Sequence, residues 1–535
     1  MPAPKDFDVL IVGYGPVGAT LANLLGRDGL SVLAVDQMTG IYDKPRAINI
    51  DHEVMRLLQS VGLAEAVDNV TCHHPGTEYR GLDNRLIKVF QPLPPPYPLG
   101  WAPNLMFIQP EFETILRDGV ARYPNVEVRL GVEAVDQEQD ANRARVVLRG
   151  ANGTERVSAR YVVACDGAGS PFRKRLGIAQ DSLDFDEWWT VVDAWLKGPA
   201  ALPRTTTQFC LPSGPYTYVV GPRGLRRWEI KLLPGEKPAD YDDIDNVRLR
   251  MRGFVDVDAI EIWRAATYRF HALVAHEWRR GRVFLAGDAA HQTPPFMAQG
   301  LCSGIRDVAN LAWKLTAALP RGWPDSLLDS YEIERKPHIR ELVATTKELG
   351  LIIGELDVEK ARARDATLSA ALEAGTSETL RQKLIPDLTA GLLDKDRAGA
   401  PIPPAGMLAP QPRVFDHGSS RLLDDVAGER FLLVMLGAKP QDWVDGASAA
   451  ALDRLGAARL ALVSAGSPEP SALVEDGTLF RDWMAAHNCA ALIVRPDRYV
   501  YAGAKDAPTL NRQIAALEQD VFRSGVKQAA IRRSA

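Results

Sequence analysis

The sequence predicts an α/β protein with a dinucleotide-binding domain in two segments, a β-sheet domain inserted between them, and a smaller α/β domain at the C-terminus. Three observations predict this class: a glycine fingerprint after the first strand, a second strand–loop–helix unit past the middle of the chain, and a strand-rich stretch between the two. A chain of 535 residues is too long for one core, so several domains are expected. The predicted spans are 1–184 and 276–396 for the two segments, 185–275 for the sheet domain, 397–414 for a linker and 415–535 for the C-terminal domain.

The composition favours a globular protein that binds small molecules. A formal net charge of −5 gives no sign of a nucleic-acid surface. No apolar run of about 18 residues indicates a membrane helix, and the first strand starts too early for a signal peptide, so we expect a cytoplasmic location. The five cysteines are scattered, and Cys72, His73 and His74 lack the spacing of a closed metal site, so no metal is expected.

The first fifty residues carry a dinucleotide fingerprint. An apolar run at 9–12 is typical of a strand buried on both faces, and Gly13, Gly15 and Gly18 follow it in G-x-G-x-x-G spacing. The first glycine permits the tight turn, the second lets a pyrophosphate approach the backbone, and the third allows close helix packing. Asp36 ends the second strand, where a carboxylate accepts from an adenosine ribose, which favours FAD or NAD over NADP.

Two later stretches decide between these cofactors. A strand ending at residue 164 leads into Asp166, and "FLAGDAAHQTPPFMAQG" joins another strand to a helix that begins at Gly300. An NAD dehydrogenase has no use for this second unit, whereas an extended FAD needs a separate partner for its ribityl chain. Gly287 and Asp288 are placed to supply it, and the helix dipole at Gly300 would face the flavin. The buried face predicted for that helix comprises Ile305, Val308, Ala312 and Leu315.

At this point the chain resembles a known family. The segments "GYGPVG", "ACDG" and "LAGDAAHQTPP…QG" look like the three fingerprints of group A FAD-dependent aromatic hydroxylases, in the family's order and spacing. The resemblance covers nearly the whole chain and is strongest to the 3-(3-hydroxyphenyl)propionate hydroxylases, through "KPRAINIDHEVMRLLQSVGL" and "WMAAHNCAALIVRPDRYV". Ala298 departs from that group, in which glycine is expected, and this alters how tightly the loop meets the flavin ring.

The resemblance implies further flavin contacts. Arg46 should lie at the flavin and the nicotinamide approach, Gln109 should contact FAD, and Asp288 should bind the ribityl chain. Pro295 and Gly300 should line the isoalloxazine ring. Two alternatives remain open: Arg46 as a solvated loop arginine, and Gln109 as a cap of the following helix.

The resemblance also implies the chemistry. Reduced FAD and O₂ form a C4a-hydroperoxide that hydroxylates a small phenolic, hydroxyphenylpropionate-like ring, and the catalytic base is unidentified. NADH or NADPH docks transiently as cosubstrate, in keeping with the lack of a second fingerprint. Two alternatives are a hydroxylase or epoxidase of larger polyketide-like rings and a non-catalytic protein that keeps the FAD fold.

The inserted and C-terminal domains are predicted in less detail. Tyr216 and Tyr218 share one face of a strand, where they either line the substrate or pack in a sheet core. Strand and helix patterns alternate beyond the Pro/Gly/Ala-rich linker, which together with the resemblance suggests a thioredoxin-like domain. This domain has no CxxC, so a structural role or support of a homodimer is inferred.

Overall fold

The computed structural model describes residues 6–464 and 472–522. The predicted first segment and the predicted C-terminal domain therefore lie partly outside the described residues. The first segment forms eleven strands and five α-helices in this described part. Its strands are β1 (Asp6–Val12), β2 (Val32–Asp36), β3 (Asn49–Asp51), β4 (Cys72–His73), β5 (Thr77–Arg80), β6 (Leu86–Phe90), β7 (Asn104–Met106), β8 (Val126–Leu130), β9 (Glu133–Gln139), β10 (Ala144–Gly150) and β11 (Gly153–Ala164). Its helices are α1 (Pro16–Arg27), α2 (His52–Ser60), α3 (Ala64–Asp68), α4 (Gln109–Val120) and α5 (Pro171–Arg175).

The dinucleotide-binding domain is built on a sheet with a parallel centre. Its main path runs β17-β18-β11-β1-β2-β8, in which β17 (Arg279–Arg280) and β18 (Val283–Leu285) come from the second segment. Strand β1 pairs in parallel with β11 on one side and β2 on the other. Val9, Leu10 and Ile11 are fully buried, as the continuous apolar run of β1 predicts for a strand covered on both faces. The predicted Rossmann-like class is confirmed.

The inserted domain is an antiparallel sheet with one helix against its outer face. Its elements are β12 (Gln180–Leu196), β13 (Thr206–Phe209), β14 (Tyr216–Val220), β15 (Leu225–Lys231), α6 (Ile244–Met251) and β16 (Ile260–Ala275). The strand order is β19-β16-β12-β15-β14-β13-β5-β6, in which β19 (His291–Gln292) comes from the second segment. The sheet therefore extends beyond the predicted span of 185–275, because β12 starts earlier and both segments of the dinucleotide-binding domain add strands to its edges.

The second segment completes the dinucleotide-binding domain. It comprises β17 (Arg279–Arg280), β18 (Val283–Leu285), β19 (His291–Gln292), α7 (Gly300–Ala318), α8 (Ser330–Gly354) and α9 (Val358–Glu373). The predicted face of α7 is buried, and most of the remaining helix is buried as well, because α1 and α8 pack on it from other sides. No helix among the described residues is long and apolar enough to cross a membrane.

The C-terminal domain is a seven-stranded mixed sheet flanked by helices. It comprises β20 (Arg413–Asp416), β21 (Ser419–Leu422), α10 (Leu423–Ala427), β22 (Leu432–Leu436), α11 (Pro440–Trp443), α12 (Gly446–Leu455), β23 (Ala458–Val463), β24 (Leu473–Asp476), α13 (Leu479–Ala486), β25 (Ala491–Val494), β26 (Val500–Ala504) and α14 (Ala507–Phe522). Its strand order is β21-β20-β24-β23-β22-β25-β26.

The segment 397–414 is packed rather than a free linker. Gly406 N–H donates to Val500 O at 2.9 Å, and Ala409 N–H donates to Arg498 O at 3.0 Å. Ala409 is buried, and a Cβ at Gly406 would lie 2.0 Å from Leu388 O. The small residues that suggested a linker instead allow this stretch to approach its neighbours closely, so the predicted linker is corrected to a docked segment.

Candidate flavin-binding site

The three fingerprint glycines differ in the space that is available for a Cβ atom. Gly13 has φ +97°, and a Cβ there would lie 2.3 Å from Cys165 O in the strand-end of β11. A Cβ at Gly18 would lie 2.0 Å from Gly13 O, so helix α1 packs on the turn only because the side chain is absent. A Cβ at Gly15 would meet no atom within 4 Å. The backbone at Gly15, at the N-terminus of α1, is therefore open to a phosphate.

Asp36 stands beside this turn at the end of β2. Its carboxylate accepts from Tyr14 N–H at 2.7 Å and from Met38 N–H at 2.8 Å. A carboxylate offers about four acceptor positions, so two remain for a ribose. Arg117 of α4 donates to Tyr14 O at 3.0 Å and lies over the Tyr14 ring, which adds a residue that the sequence analysis did not identify.

Asp166 caps the short helix α5 next to the fingerprint turn. Its carboxylate accepts from Ser170 Oγ at 2.6 Å and from Phe172 N–H at 3.1 Å, and burial raises its pKa. Arg173, in the basic stretch "FRKR" of α5, is buried and donates to Ala289 O at 2.9 Å. This arginine therefore braces the loop after β18 from within the fold.

The loop after β18 is fixed by Asp307 of α7. The Asp307 carboxylate accepts from Gly287 N–H at 3.1 Å, lies 2.7 Å from His291 Nε2, and pairs with Arg335 at 3.0 Å. Burial opposes its ionisation, but His291 and Arg335 outweigh burial and lower its pKa. His291 is thus held by the fold through its contact with Asp307.

Asp288 points away from this network and into the site. The Asp288 side chain is exposed to solvent, yet burial by the surrounding protein raises its pKa. His291 and Arg46 oppose this increase, and Asp307 adds to it. Both observations describe a carboxylate that lines a concave space walled by protein. An acceptor in this position suits the hydroxyl groups of a ribityl chain.

The two FAD motifs are in direct contact. Val17 of α1 lies against the start of α7, where a Cβ at Gly287 would come 3.2 Å, and one at Gly304 2.7 Å, from its Cγ2 atom. The N-termini of α1 and α7 are therefore brought to one region of the domain by small residues. Gly304 is a packing residue that the sequence analysis did not single out.

The Arg46 loop is anchored from two domains. Gln109 Oε1 accepts from Arg46 N–H at 2.9 Å and from Ala47 N–H at 2.7 Å, and Gln109 Nε2 donates to Glu113. Arg227 of β15 donates to Arg46 O at 2.8 Å. The Arg46 side chain itself is exposed and lies over the Tyr42 ring. Gln109 therefore positions this loop instead of capping α4, and its contact with FAD stays a prediction.

The loop before α7 contains a strained residue. Pro295 opens a single 3₁₀ turn, Ala298 follows it at φ +48° and ψ +42°, and Gly300 starts the helix. A residue with a Cβ pays about 1–2 kcal/mol in this left-handed conformation, which explains physically why glycine is expected at Ala298.

We predict that Ala298→Gly stabilises the protein by about 0.5–1 kcal/mol, since relief of the left-handed strain exceeds the added chain entropy of glycine. The denaturation midpoint measures the effect. Ala450→Gly is the matched control, because this exposed alanine lies inside α12 and should lose about 1 kcal/mol instead. Equal destabilisation by both changes would contradict the strain.

These residues fit an extended FAD. The open backbone at Gly15 suits a pyrophosphate, the Asp36 carboxylate suits a ribose, and Asp288 suits the ribityl chain. A Cβ at Gly300 would meet nothing within 4 Å, so the backbone at the start of α7 is open, and its contact with the flavin stays a prediction. No group of three or more potential metal ligands occurs in the described part of the chain.

The inserted sheet turns one face to this site. Trp189 of β12 packs against Phe296 of the loop, with ring centroids 5.3 Å apart, and Arg227 reaches Arg46. Residues paired across neighbouring strands share a face, so the register extends this inner face through Glu229, Thr217 and other residues. The inner face consists mainly of Trp189, Val191, Asp193, Gln208, Thr217, Arg227, Glu229, Arg264, Tyr268 and Phe270.

Tyr216 and Tyr218 lie on the opposite face. The Tyr216 ring stacks on Phe209 at 4.3 Å, and Tyr218 packs on Trp228 at 5.5 Å, in the cluster covered by α6. This matches the sheet-core alternative and corrects the prediction that they line the substrate. The pattern of period two gave the right pair but could not say which face looks toward the flavin.

Comparison with known proteins gives the family to which a chain with these loops and this inserted sheet belongs. The FAD binding domain family matches residues 6–346, and the HcaD C-terminal domain family matches residues 406–520. The chain belongs to the FAD-dependent aromatic monooxygenases of this FAD-binding family.

Individual relatives extend over nearly the whole chain. The chain is 36% identical over 511 residues to the probable NADH-specific resorcinol 4-hydroxylase of Rhodococcus jostii (strain RHA1), covering 95% of this chain and 93% of that protein. It is 33% identical over 575 residues to the 3-(3-hydroxy-phenyl)propionate/3-hydroxycinnamic acid hydroxylase of Comamonas testosteroni, covering 95% and 96%.

Solved structures share the fold at lower identity. The flavin-dependent monooxygenase PieE, in complex with FAD and substrate, superposes with a TM-score of 0.79 at 22% identity, covering 97% of this chain and all of that one. Aklavinone-11 hydroxylase, in a ternary complex with FAD and aklavinone, gives 0.76 at 23% identity, covering 96% and 99%.

Proposed function

We propose that this enzyme hydroxylates a small phenol, with NADH as the electron donor and O₂ as the oxygen source. The observation that carries the proposal is the inner sheet face, on which polar groups stand next to the aromatic contact of Trp189 with the flavin loop. Such a face binds a small ring and one or two hydroxyl groups. The names of the two relatives support a phenol, and the first of them supports NADH.

The polar groups favour a dihydroxybenzene of the resorcinol type over a ring with a carboxylate side chain. Arg227 pairs with Asp193 at 2.7 Å through its Nε atom and donates to Arg46 O through Nη1, which leaves Nη2 without a hydrogen-bond partner among the described residues. Arg264 faces the same aspartate at 3.6 Å. Each cation on this face therefore already has an anionic neighbour.

The residues of the chain divide the work. Bound FAD would accept hydride from NADH and activate O₂, which is chemistry that the cofactor supplies. Asp36, Asp288 and the backbone near Gly15 would hold it. Trp189 and Phe296 close one end of the substrate space, which excludes water from the reacting ring.

The first test is a substrate panel. Purified protein with FAD is given NADH or NADPH together with phenol, resorcinol, hydroxyphenylpropionate and a large polyketide-like ring. We expect resorcinol-type rings to accelerate NADH oxidation by about tenfold or more and to gain one oxygen. Stimulation by the large ring alone would contradict the proposal. A homodimer and a cytoplasmic location stay predictions alongside it.

A further inference from the structure

The inner face of the inserted sheet carries a carboxylate that the cofactor site does not use. Glu229 lies in the middle of β15, paired with Val191 of β12 on one side and Thr217 of β14 on the other. It is therefore near the centre of an eight-stranded sheet, with no edge or terminus nearby. A carboxylate in such a position is rare unless a partner or a function holds it there.

The position of Glu229 relative to the flavin loops follows from its neighbours. Two residues before it, Arg227 donates to Arg46 O; on the adjoining strand, Trp189 contacts Phe296. Both contacts come from the face that Glu229 shares. The Glu229 side chain thus stands between the anchor of the Arg46 loop and that of the Pro295–Met297 turn, over the space in which a substrate ring would lie.

The charges around Glu229 leave it without a strong partner. Arg227 pairs with Asp193 at 2.7 Å, whereas the nearest approach of Arg227 to Glu229 is 3.9 Å. Within residues 6–464 and 472–522, no N–H or O–H group donates a hydrogen bond to its carboxylate. Arg264 and Tyr268 face the same cluster from β16.

Tyr268 shows that this cluster borders an open space. The Tyr268 side chain is 37% exposed, yet burial raises its pKa. Arg227 opposes this increase in the pKa, and Glu229 adds to it. A side chain with both properties lines a concavity, as Asp288 does on the flavin side. Glu229 and Tyr268 therefore border the same space.

We infer that Glu229 is the base that removes the hydroxyl proton of the bound phenol. The inference rests on the proposed function, since it assigns the proton acceptor of that reaction. The phenol O–H bond breaks, an O–H bond to the Glu229 carboxylate forms, and the electron pair stays on the phenol oxygen. The proton then leaves to solvent when product departs, which restores the carboxylate.

The protonation behaviour of Glu229 suits this task. Burial raises its pKa to about 7, with Arg227 lowering it and Asp193 raising it. A free phenol, like a tyrosine side chain, ionises near pH 10. A base with a pKa close to the working pH combines a large ionised fraction with a strong affinity for the proton.

The test compares Glu229→Gln with the wild type across pH. In the wild type, kcat should rise with pH through a midpoint near 7. In Glu229→Gln, we expect kcat at neutral pH to fall by about 100-fold or more, with recovery only as the pH approaches the phenol's own ionisation near pH 10. Glu229→Asp keeps a carboxylate, so its kcat should still rise with pH on the acidic side of the profile. Glu261→Gln, an exposed carboxylate of the same sheet, is the matched control and should match the wild type.

A second readout needs no turnover. The affinity for the phenol, measured with oxidised flavin and no nicotinamide, should increase as the pH rises through about 7 in the wild type, because the ionised Glu229 carboxylate is a stronger acceptor for the phenol O–H group than its protonated form. This pH dependence should be lost in Glu229→Gln. A pH profile of kcat and a pH dependence of phenol affinity that both stay unchanged in Glu229→Gln would overturn the assignment, as would equal losses in the Gln and Asp variants. If the wild type itself hydroxylates no phenol, the proposed function fails instead, so the two failures are distinguishable.

Discussion

Arg306→Met is expected to destabilise the folded protein by about 3–5 kcal/mol, because it leaves two buried carboxylates without their cation. Arg306 of α7 is buried, pairs with both Asp51 and Glu53, and donates to Gln299 Oε1 at 2.8 Å. Glu53 in turn accepts from Tyr499 of the C-terminal domain at 3.0 Å. One arginine therefore joins helix α2, the start of α7 and the C-terminal domain.

The loss of folding stability in Arg306→Met should be larger at high pH than at low pH. Burial opposes ionisation of Asp51, but Arg306 outweighs it and lowers the pKa, so the wild type keeps this stabilisation above the unfolded pKa near 4 and loses it as pH falls further. Without Arg306, burial is opposed only by His52 and the Val54 N–H group, so the pKa of Asp51 is higher than in the wild type and the variant is most impaired at high pH. The stability gap should narrow between about pH 8 and about pH 5.

Chemical denaturation midpoints at those pH values measure the prediction. Arg362→Met is the matched control, because Arg362 forms an exposed pair with Glu359 on α9 and should change stability by less than about 0.5 kcal/mol. If the two variants were equally stable, Arg306 would not connect the domains as described.

Asp288→Ala is expected to weaken FAD binding by about 10- to 150-fold, which corresponds to the 1.5–3 kcal/mol typical of hydrogen bonds to a charged group. The flavin-free protein should respond in the opposite direction. Because burial raises the pKa of Asp288, its ionised form opposes folding at neutral pH, and removing it should leave the apoprotein as stable as the wild type or more stable.

Flavin fluorescence titration gives the affinity, and denaturation of the flavin-free protein gives the stability. Asp118→Asn, at an exposed site on α4, is the control and should alter neither quantity. Unchanged FAD affinity in Asp288→Ala would remove this carboxylate from the binding site. A strong loss of apoprotein stability would instead make it a structural residue.

The sequence predicts the backbone of the cofactor site well, because its signals are local. Glycine spacing, an apolar strand and an acidic strand end act within about 30 residues, so the positions of Gly13, Gly15, Gly18 and Asp36 follow directly. Gly300 at the start of α7 follows in the same way, from the change in hydrophobic period.

Long-range partners leave weaker signals. Asp307 holds the loop after β18, and its sequence trace is the charged pair Arg306-Asp307 inside a largely apolar helix. Such a pair indicates buried charges without naming partners that lie hundreds of residues away. Glu229 is similar, since a strand of alternating residues does not reveal which face looks toward the flavin.

The misassigned linker has another cause. Composition rich in proline, glycine and alanine has no helical or strand period, so it resembles an unstructured connection. Whether such a stretch is free or docked depends on what lies beside it. Here the backbone N–H groups of this stretch donate to the carbonyl groups of Arg498 and Val500, and Leu388 packs against Gly406.

The most direct test of the account is oxygen labelling during turnover. Protein with FAD, NADH and the phenol selected by the panel is incubated under ¹⁸O₂, and the product is examined by mass spectrometry. We predict a ring that has gained one labelled oxygen atom per NADH consumed. NADH oxidation that yields only labelled hydrogen peroxide with every phenol, or a product whose new oxygen comes from water, would contradict it.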